Sequence, residues 1–327
     1  MTIADFVESK FVPEHVARKK SSGRTHYQAI LKHVLTPEEV DRVFQVDAEK
    51  SKTKLTAVAN WPYLGNVRLC DVQPDDVQRL ISAALARGYS TQTVTHIRNV
   101  VSAIFTHAKK QQWFTGDNPA SLVTPPEMAR KEAYALTLAQ AKEVLGVMKY
   151  PEREMTLIAI LTSMNVAEIC GLQWKRVNLT EAWSDSDGEP IPPRTIAVRK
   201  QWYLGELANV EKKRRRTNLP IPGPLFPILQ GLSRRAKFTG PDDFVLVSRV
   251  GTPINGNGIA ARRLKPIGKH LQMPWLSWHV FRRTHTALAY ELGMQFLERI
   301  TTMGRSDPRM TPALMRSDPA VSASLHA

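Results

Sequence analysis

The chain is short of cysteine, of acid relative to base, of long apolar runs, and of tyrosine near its C-terminal end. Cys70 and Cys170 are its two cysteines, one hundred residues apart and without companion ligand spacing. They read as buried thiols and not as a bridge or a metal site. His270 and His285 likewise lack the cluster a zinc site needs. No segment approaches about eighteen uninterrupted apolar residues, so no membrane span is expected. The start, Met1-Thr2-Ile3-Ala4-Asp5, has no basic stretch leading into an apolar run; no secretory signal and a reducing cytoplasm are therefore expected. The last tyrosine is Tyr290, and none occurs from Glu291 to Ala327.

Acid is the most telling shortage. Asp+Glu number 30 against 45 Lys+Arg, a formal net charge of +15. Such an excess suits a polyanion, above all nucleic acid, because each neutralised phosphate releases counterions. Otherwise the composition, 43% hydrophobic and 23% charged, is that of a soluble globular protein. A length of 327 residues leads us to expect two domains.

Residues 1–118 read as helices. Thr36-Pro37-Glu38-Glu39 is a helix start, with a capping hydroxyl, proline at the first position and acids at the positive end of the dipole. Val40, Val43 and Phe44 give that helix its apolar stripe. Gln73-Pro74-Asp75-Asp76 opens another helix, lined by Val77, Leu80, Ile81, Ala84 and Leu85 and ended by Gly88. A third is expected from Thr91 to Trp113, with Val94, Ile97, Val101, Ile104, Phe105 and Ala108 at helical spacing. Asn118-Pro119 breaks the pattern, and the prolines of Thr124-Pro125-Pro126-Glu127 stiffen the chain beyond it, so residues 119–134 are expected as a linker. Residues 135–327 form the second expected domain. Thr137-Leu138-Ala139-Gln140 is a capping box, and an apolar helix is expected from Met155 to Ile169. Thr195-Ile196-Ala197-Val198 and Leu219-Pro220-Ile221 read as strands around a basic turn. Helices return after Leu225.

Ser277-Trp278-His279-Val280-Phe281-Arg282-Arg283-Thr284-His285 carries the sharpest signal. A histidine and an arginine three residues apart share a helix face, so both can point at one phosphate. The segment resembles the His-x-x-Arg box of the tyrosine recombinases, the phage-integrase family of mobile elements. Further boxes agree in order: Ser90-Thr91-Gln92-Thr93-Val94, Ile104-Phe105-Thr106-His107-Ala108 and Asn118-Pro119-Ala120. After them comes Thr162-Ser163-Met164-Asn165-Val166-Ala167-Glu168-Ile169-Cys170-Gly171-Leu172-Gln173-Trp174. The resemblance implies a mainly α fold with a small antiparallel β-sheet: a helical core-binding domain and then an integrase-like catalytic domain.

It also implies a chemistry. In the family two arginines contact the nonbridging phosphate oxygens, and a lysine on the sheet turn protonates the leaving 5′ oxygen. A histidine helps a tyrosine shed its proton, and a second histidine or a tryptophan steadies the transition state. The tyrosine then forms a 3′-phosphotyrosyl link, which stores the bond energy, so neither metal nor cofactor is implied. His279 and Arg282 hold family positions here. The first arginine position holds Asn165, which offers two uncharged donors in place of a charged fork. The family lysine belongs in Val210-Glu211-Lys212-Lys213-Arg214-Arg215-Arg216-Thr217. Lys212 is our choice, but an ungapped alignment from Pro220 places Glu211 there, and Lys213 is a further alternative. The turn equally reads as a solvated hairpin tip touching DNA backbone. In Met303-Gly304-Arg305-Ser306-Asp307, Arg305 takes the second histidine's position, and the tyrosine position falls at Leu314. His285 reads as a packing or surface histidine. Candidate DNA contacts are Lys213, Arg214, Arg215, Arg216, Arg283, Arg98 and Lys109.

The resemblance implies three functions. The first is a binder of double-stranded DNA, associated with DNA integration and site-specific recombination, whose own strand cleavage is impaired. The second is an active recombinase whose tyrosine is displaced, with Tyr290 the nearest, or supplied by a partner protomer. The third is a non-catalytic assembly subunit, part of a homo-oligomer or joined to a recombinase paralogue on DNA, its tail Ala320 to Ala327 packed on a neighbour. A nucleoid-associated place in the cytoplasm is expected for each.

Overall fold

Capping residues and prolines divide the chain into two helical units, Met1–Arg130 and Lys131–Ala327, each with its own apolar core. The structure, a computed structural model, describes residues 1–44, 56–124, 126–127, 133–210 and 217–291, with side chains in the last helix through Ala289. It is mainly helical, with small antiparallel sheets in the second unit.

The first unit comprises α1 (Ile3–Phe6), a π-helix (Val7–Val16), α2 (Ser21–Leu31), α3 (Pro37–Phe44), α4 (Pro74–Ala86) and α5 (Thr91–Lys110). At the start of α3 the Thr36 N–H donates to Glu39 Oε2 at 2.8 Å, and the Glu39 N–H donates to Thr36 Oγ1 at 3.3 Å. The same carboxylate lies against Gly65, where a Cβ would sit 1.9 Å from Glu39 Oε2. Only glycine allows that approach. Gly88 adopts φ +80° just beyond α4, the left-handed stop its position predicts. The α5 helix ends at Lys110, short of the expected Trp113, because Gln112 turns to φ +60°. Phe6, Phe11, Leu31, Leu80, Ile97 and Phe105 are fully buried where these helices meet. Pro119 and Ala120, within the expected linker, form a short 3₁₀ turn (Pro119–Ser121). Ala120 and Val123 join this core. Cys70 is exposed and Cys170 buried, so the expectation of two buried thiols fails for Cys70. It sits in the loop before α4, with its Sγ turned to Asp71 Oδ1 at 3.3 Å.

Near the start of the second unit the Leu136 N–H donates to Thr284 Oγ1 at 2.9 Å. Then come α6 (Leu138–Val147), α7 (Glu152–Thr162) and α8 (Val166–Cys170). The single helix expected from Met155 to Ile169 is therefore two. Ser163 takes a left-handed φ of +56°, and Asn165 starts a new helix by capping it. The strands are β1 (Val177–Asn178), β2 (Ser184–Ser186), β3 (Glu189–Ile191), β4 (Thr195–Ala197), β5 (Lys200–Tyr203), β6 (Glu206–Asn209) and β7 (Asn218–Pro220). The fully buried β4 lies between β1 and β7, with Ile196 paired to Val177 on one side and Leu219 on the other. The two strands read from the sequence thus pair, but not around a simple basic turn. An additional hairpin, β5–β6, stands between them and turns at Leu204 (φ +49°) and Gly205 (φ +81°). Two positive φ values at the tip match the twist of a two-residue hairpin. The described residues end with α9 (Phe226–Ser233), α10 (Gly256–Ile259), a π turn (Ala260–Leu264), α11 (Lys265–His270) and α12 (Trp278–Glu291). Among the described residues no helix is long and apolar enough to cross a membrane.

Histidines of the first unit make its stability pH-dependent. Burial, helped by the nearby Lys32 charge, pulls His33 down to about 4. Burial also lowers His15 and His26, reinforced by Lys19 and His107 at the first and by His96 at the second. Each folded value lies below the ordinary 6.5. Their contribution is thus whole above that value and is lost as pH falls toward the folded one. The melting temperature of the first unit should fall between pH 6.5 and about 4, and His33→Gln should flatten that fall in a thermal-melt series. An equally steep fall in the variant would show that His33 is not a source of it.

Candidate functional site

The helix start at Asn165 is the first wall of the site. Its N–H donates to Glu168 Oε2 at 2.8 Å, and the Glu168 N–H donates to Asn165 Oδ1 at 3.0 Å. This reciprocal box satisfies two otherwise orphaned N–H groups. The Asn165 carbonyl oxygen is consumed locally, and its Nδ2 has no partner among the described residues. The side chain therefore serves the fold and keeps only uncharged donors for a ligand.

The second wall is α12. Its buried face holds Val280, Phe281, Thr284 and His285, while His279 is exposed and Arg282 half-buried. Helical spacing separates the two sets: 281, 284 and 285 pack inward, and 279 and 282 share another side. His285 is held by packing. Its Nδ1–H donates to the Ile160 carbonyl of α7 at 2.7 Å. The Trp278 Nε1–H donates to the Gly256 carbonyl at 2.9 Å. Gly256 of α10 also packs against α8, where a Cβ would meet Val166 Cγ2 at 2.4 Å. One glycine thus lets α8, α10 and α12 meet.

Glu168 links the walls. It is 4% exposed, and its Oε2, which accepts the Asn165 N–H, lies 4.0 Å from Arg282 Nη1. A buried carboxylate requires such company. Asn165 and Arg282 are thereby brought to one carboxylate oxygen. Behind α8, Gly171 approaches β5 so closely that a Cβ would stand 2.6 Å from Gln201 Cα.

The basic segment Glu211–Arg216, with Lys212, Lys213, Arg214, Arg215 and Arg216, lies outside the described residues, as do Arg305 and Leu314. So does the side chain of Tyr290, whose backbone is in α12. The residues flanking the basic segment are defined. The Val210 N–H donates to the Arg199 carbonyl, and the Val198 N–H to the Thr217 carbonyl, both at 2.9 Å. The Arg199 side chain braces the same place: Nη1 to the Val198 and Thr217 carbonyls at 3.1 Å, Nη2 to Asn218 Oδ1 at 2.8 Å and Nε to Glu189 Oε2 at 2.5 Å.

Arg283 is half-buried beside Arg282. In the first unit Arg98 is half-buried on α5, with Nη1 3.4 Å from Asn99 Oδ1. Lys109 is exposed and 3.8 Å from Asp117. The sequence reading overlooked the run Gly256–His270, in which Arg262, Arg263, Lys265 and Lys269 are all exposed. Its signal was available, since the stretch holds four cations and no acid. Among the described residues no group of His, Cys, Asp and Glu could hold a metal ion.

Residues 38–124 match the family model of the phage integrase central domain. Among solved structures, residues 82–397 of the Tn1549 transposon integrase in complex with transposon right end DNA are similar at 16% identity and a TM-score of 0.72. That match covers 100% of this chain and 98% of that one. A lambda integrase (75–356) dimer bound to a COC′ core site is similar at 13% identity and TM-score 0.62, over 96% and 95% of the two chains. A lambda integrase tetramer bound to a Holliday junction is similar at 12% identity and TM-score 0.58, over 94% and 77%. No curated protein sequence matches the chain. The resemblance to tyrosine recombinases read from the sequence is borne out in the matched central domain and in the fold.

Two substitutions separate the roles in this site. Asn165→Ala should cost about 0.5–2 kcal/mol by loss of the cap, whereas Asn165→Asp should stay near wild type in a denaturant melt. Gly171→Ala should cost about 1–3 kcal/mol by forcing α8 off β5. Equal stability of Asn165→Ala and wild type would contradict the capping role.

Proposed function

We propose that this chain, whose matched central domain and fold are those of the tyrosine-recombinase family, is a double-stranded-DNA-binding protein of DNA integration and recombination with impaired strand cleavage of its own. The observation that carries this reading is the state of Asn165. At the family's first arginine position stands a neutral side chain whose carbonyl oxygen is spent on capping α8. A guanidinium there would place a charged fork on a phosphate; an amide cannot. Loss of one such donor costs several kcal/mol of transition-state stabilisation in other enzymes, roughly a factor of 10²–10³ in rate. Substitution of the second histidine by Arg305 and of the tyrosine by Leu314 is read from the sequence alone, and points the same way.

What remains suits phosphate binding. His279 and Arg282 keep their family positions on α12, and Glu168 holds Arg282 beside the α8 start. We assign the family lysine to Lys212, and backbone contacts to Lys213, Arg214, Arg215, Arg216, Arg283, Arg98 and Lys109. The exposed cations Arg262, Arg263, Lys265 and Lys269 join them. The net charge of +15 supplies the long-range attraction. The solved relatives were captured on DNA, two of them as a dimer and a tetramer. We infer that this chain too assembles on DNA, with copies of itself or with a recombinase paralogue.

Duplex binding should be tight at low salt and fall steeply as salt rises, since phosphate contacts dominate. Arg282→Ala should weaken it modestly. Binding that is absent or insensitive to salt would sink the reading. On a nicked suicide substrate the wild-type chain should form no covalent adduct in a denaturing gel. The triple change Asn165→Arg, Arg305→His, Leu314→Tyr is the variant expected to form one, and it should exceed any product of single effects. An adduct from the unmodified chain, mapped to Tyr290 or elsewhere, would overturn the impairment.

A further inference from the structure

A cavity of about 920 Å³ opens in the first unit between the π-helix, α2 and α5. One side is aromatic. The His15 ring stacks on Phe11 at 5.0 Å, and its Nε2 lies 3.1 Å from the Tyr27 hydroxyl. His107 stands 5.6 Å from His15. The one lining carboxylate, Glu14, is already engaged, by His107 Nε2 at 3.0 Å and by Lys10 at 3.9 Å.

The rest of the lining is a surplus of donors. Arg18, Lys19 and Lys110 are exposed around it, and none has a carboxylate partner among the described residues. The Asn118 Nδ2 group donates to Ser102 Oγ at 3.1 Å and to Thr106 Oγ1 at 3.2 Å. Each hydroxyl oxygen accepts that bond and keeps its own proton for another acceptor. Three unneutralised cations and two such hydroxyls therefore line one concave site beside stacking-capable rings. The volume is that of a small-molecule site. Beneath the cavity lies the apolar core of the unit, against which Tyr27 and Ala103 pack.

We propose that this cavity binds the phosphate of a nucleotide unit. The oxyanion takes Arg18, Lys19 and Lys110 as charge partners, with Ser102 and Thr106 as hydroxyl donors, and the base lies against His15 and Tyr27. A free mononucleotide and a nucleotide of bound DNA share this chemistry. In the second case the proposal deepens the DNA-binding reading; in the first it is independent of it.

The test uses the full chain with adenosine 5′-monophosphate, inorganic phosphate and adenosine as probes, at ionic strength held constant with sodium chloride. The monophosphate should bind by calorimetry and raise the melting temperature, phosphate should do so more weakly, and adenosine should do least. Affinity for the monophosphate should fall about tenfold or more in Arg18→Gln/Lys110→Gln, since two charge-assisted contacts are removed. Ser102→Ala/Thr106→Val should weaken it too. Both cations are exposed, so the double variant should melt as the wild type does without ligand. Mutual exclusion with a short duplex would support DNA as the source of the phosphate, and simultaneous binding would support a free nucleotide. A chain that binds duplex but neither monophosphate nor phosphate overturns the cavity proposal and leaves the DNA reading standing. Monophosphate binding that survives the double variant unchanged also overturns it.

Discussion

The carboxylate of Glu168 is where the second unit's packing and its candidate chemistry become one problem. Almost wholly buried, it must be hydrogen-bonded and matched by charge to be tolerated. The Asn165 N–H provides the first and the Arg282 guanidinium approaches to provide the second. The start of α8 and the exposed side of α12 are thereby tied to one oxygen atom. The three-helix junction at Gly256 sustains this arrangement. The Trp278 indole donates to its carbonyl, and Val166 packs where a side chain would otherwise be.

This coupling bears on the proposal that Asn165 stands at a replaced arginine position. Asparagine at 165 is a strong helix-starting residue, and its side chain is used as one. Changing it to arginine would add a guanidinium to the site while removing a cap from the fold. Charge gain and stability loss therefore arrive together, so a test of that proposal by Asn165→Arg must separate them.

Charge is distributed differently in the two units. In the second, exposed cations succeed one another along Gly256–His270, and ion pairs are concentrated near the sheet, where Arg199 fastens Glu189, Thr217 and Asn218. In the first, cations surround a cavity backed by histidine and tyrosine. Burial keeps His15 below its ordinary range, so its ring adds less charge than a free imidazole to the cations around it.

Much of this was legible in the chain itself. Local rules acting within four residues were enough for the Thr36–Glu39 and Thr137–Gln140 helix starts, the Gly88 stop and the helical spacing on α4 and α5. The His279–Arg282 spacing, the basic excess and the pairing of 195–198 with 219–221 were visible for the same reason: period and composition survive without coordinates. Other features depended on contacts between distant residues. The break at Ser163, the β5–β6 hairpin, the exposure of Cys70 and the meeting of Glu168 with Arg282 were settled by packing. Local propensity is too weak to decide them. A buried charge finds its partner only once the helices have docked, and a cavity exists only between elements. The sequence by itself determined most helix starts, two of the strands and the excess of basic charge. Tertiary structure alone decided which atoms share a carboxylate and where exposed cations converge.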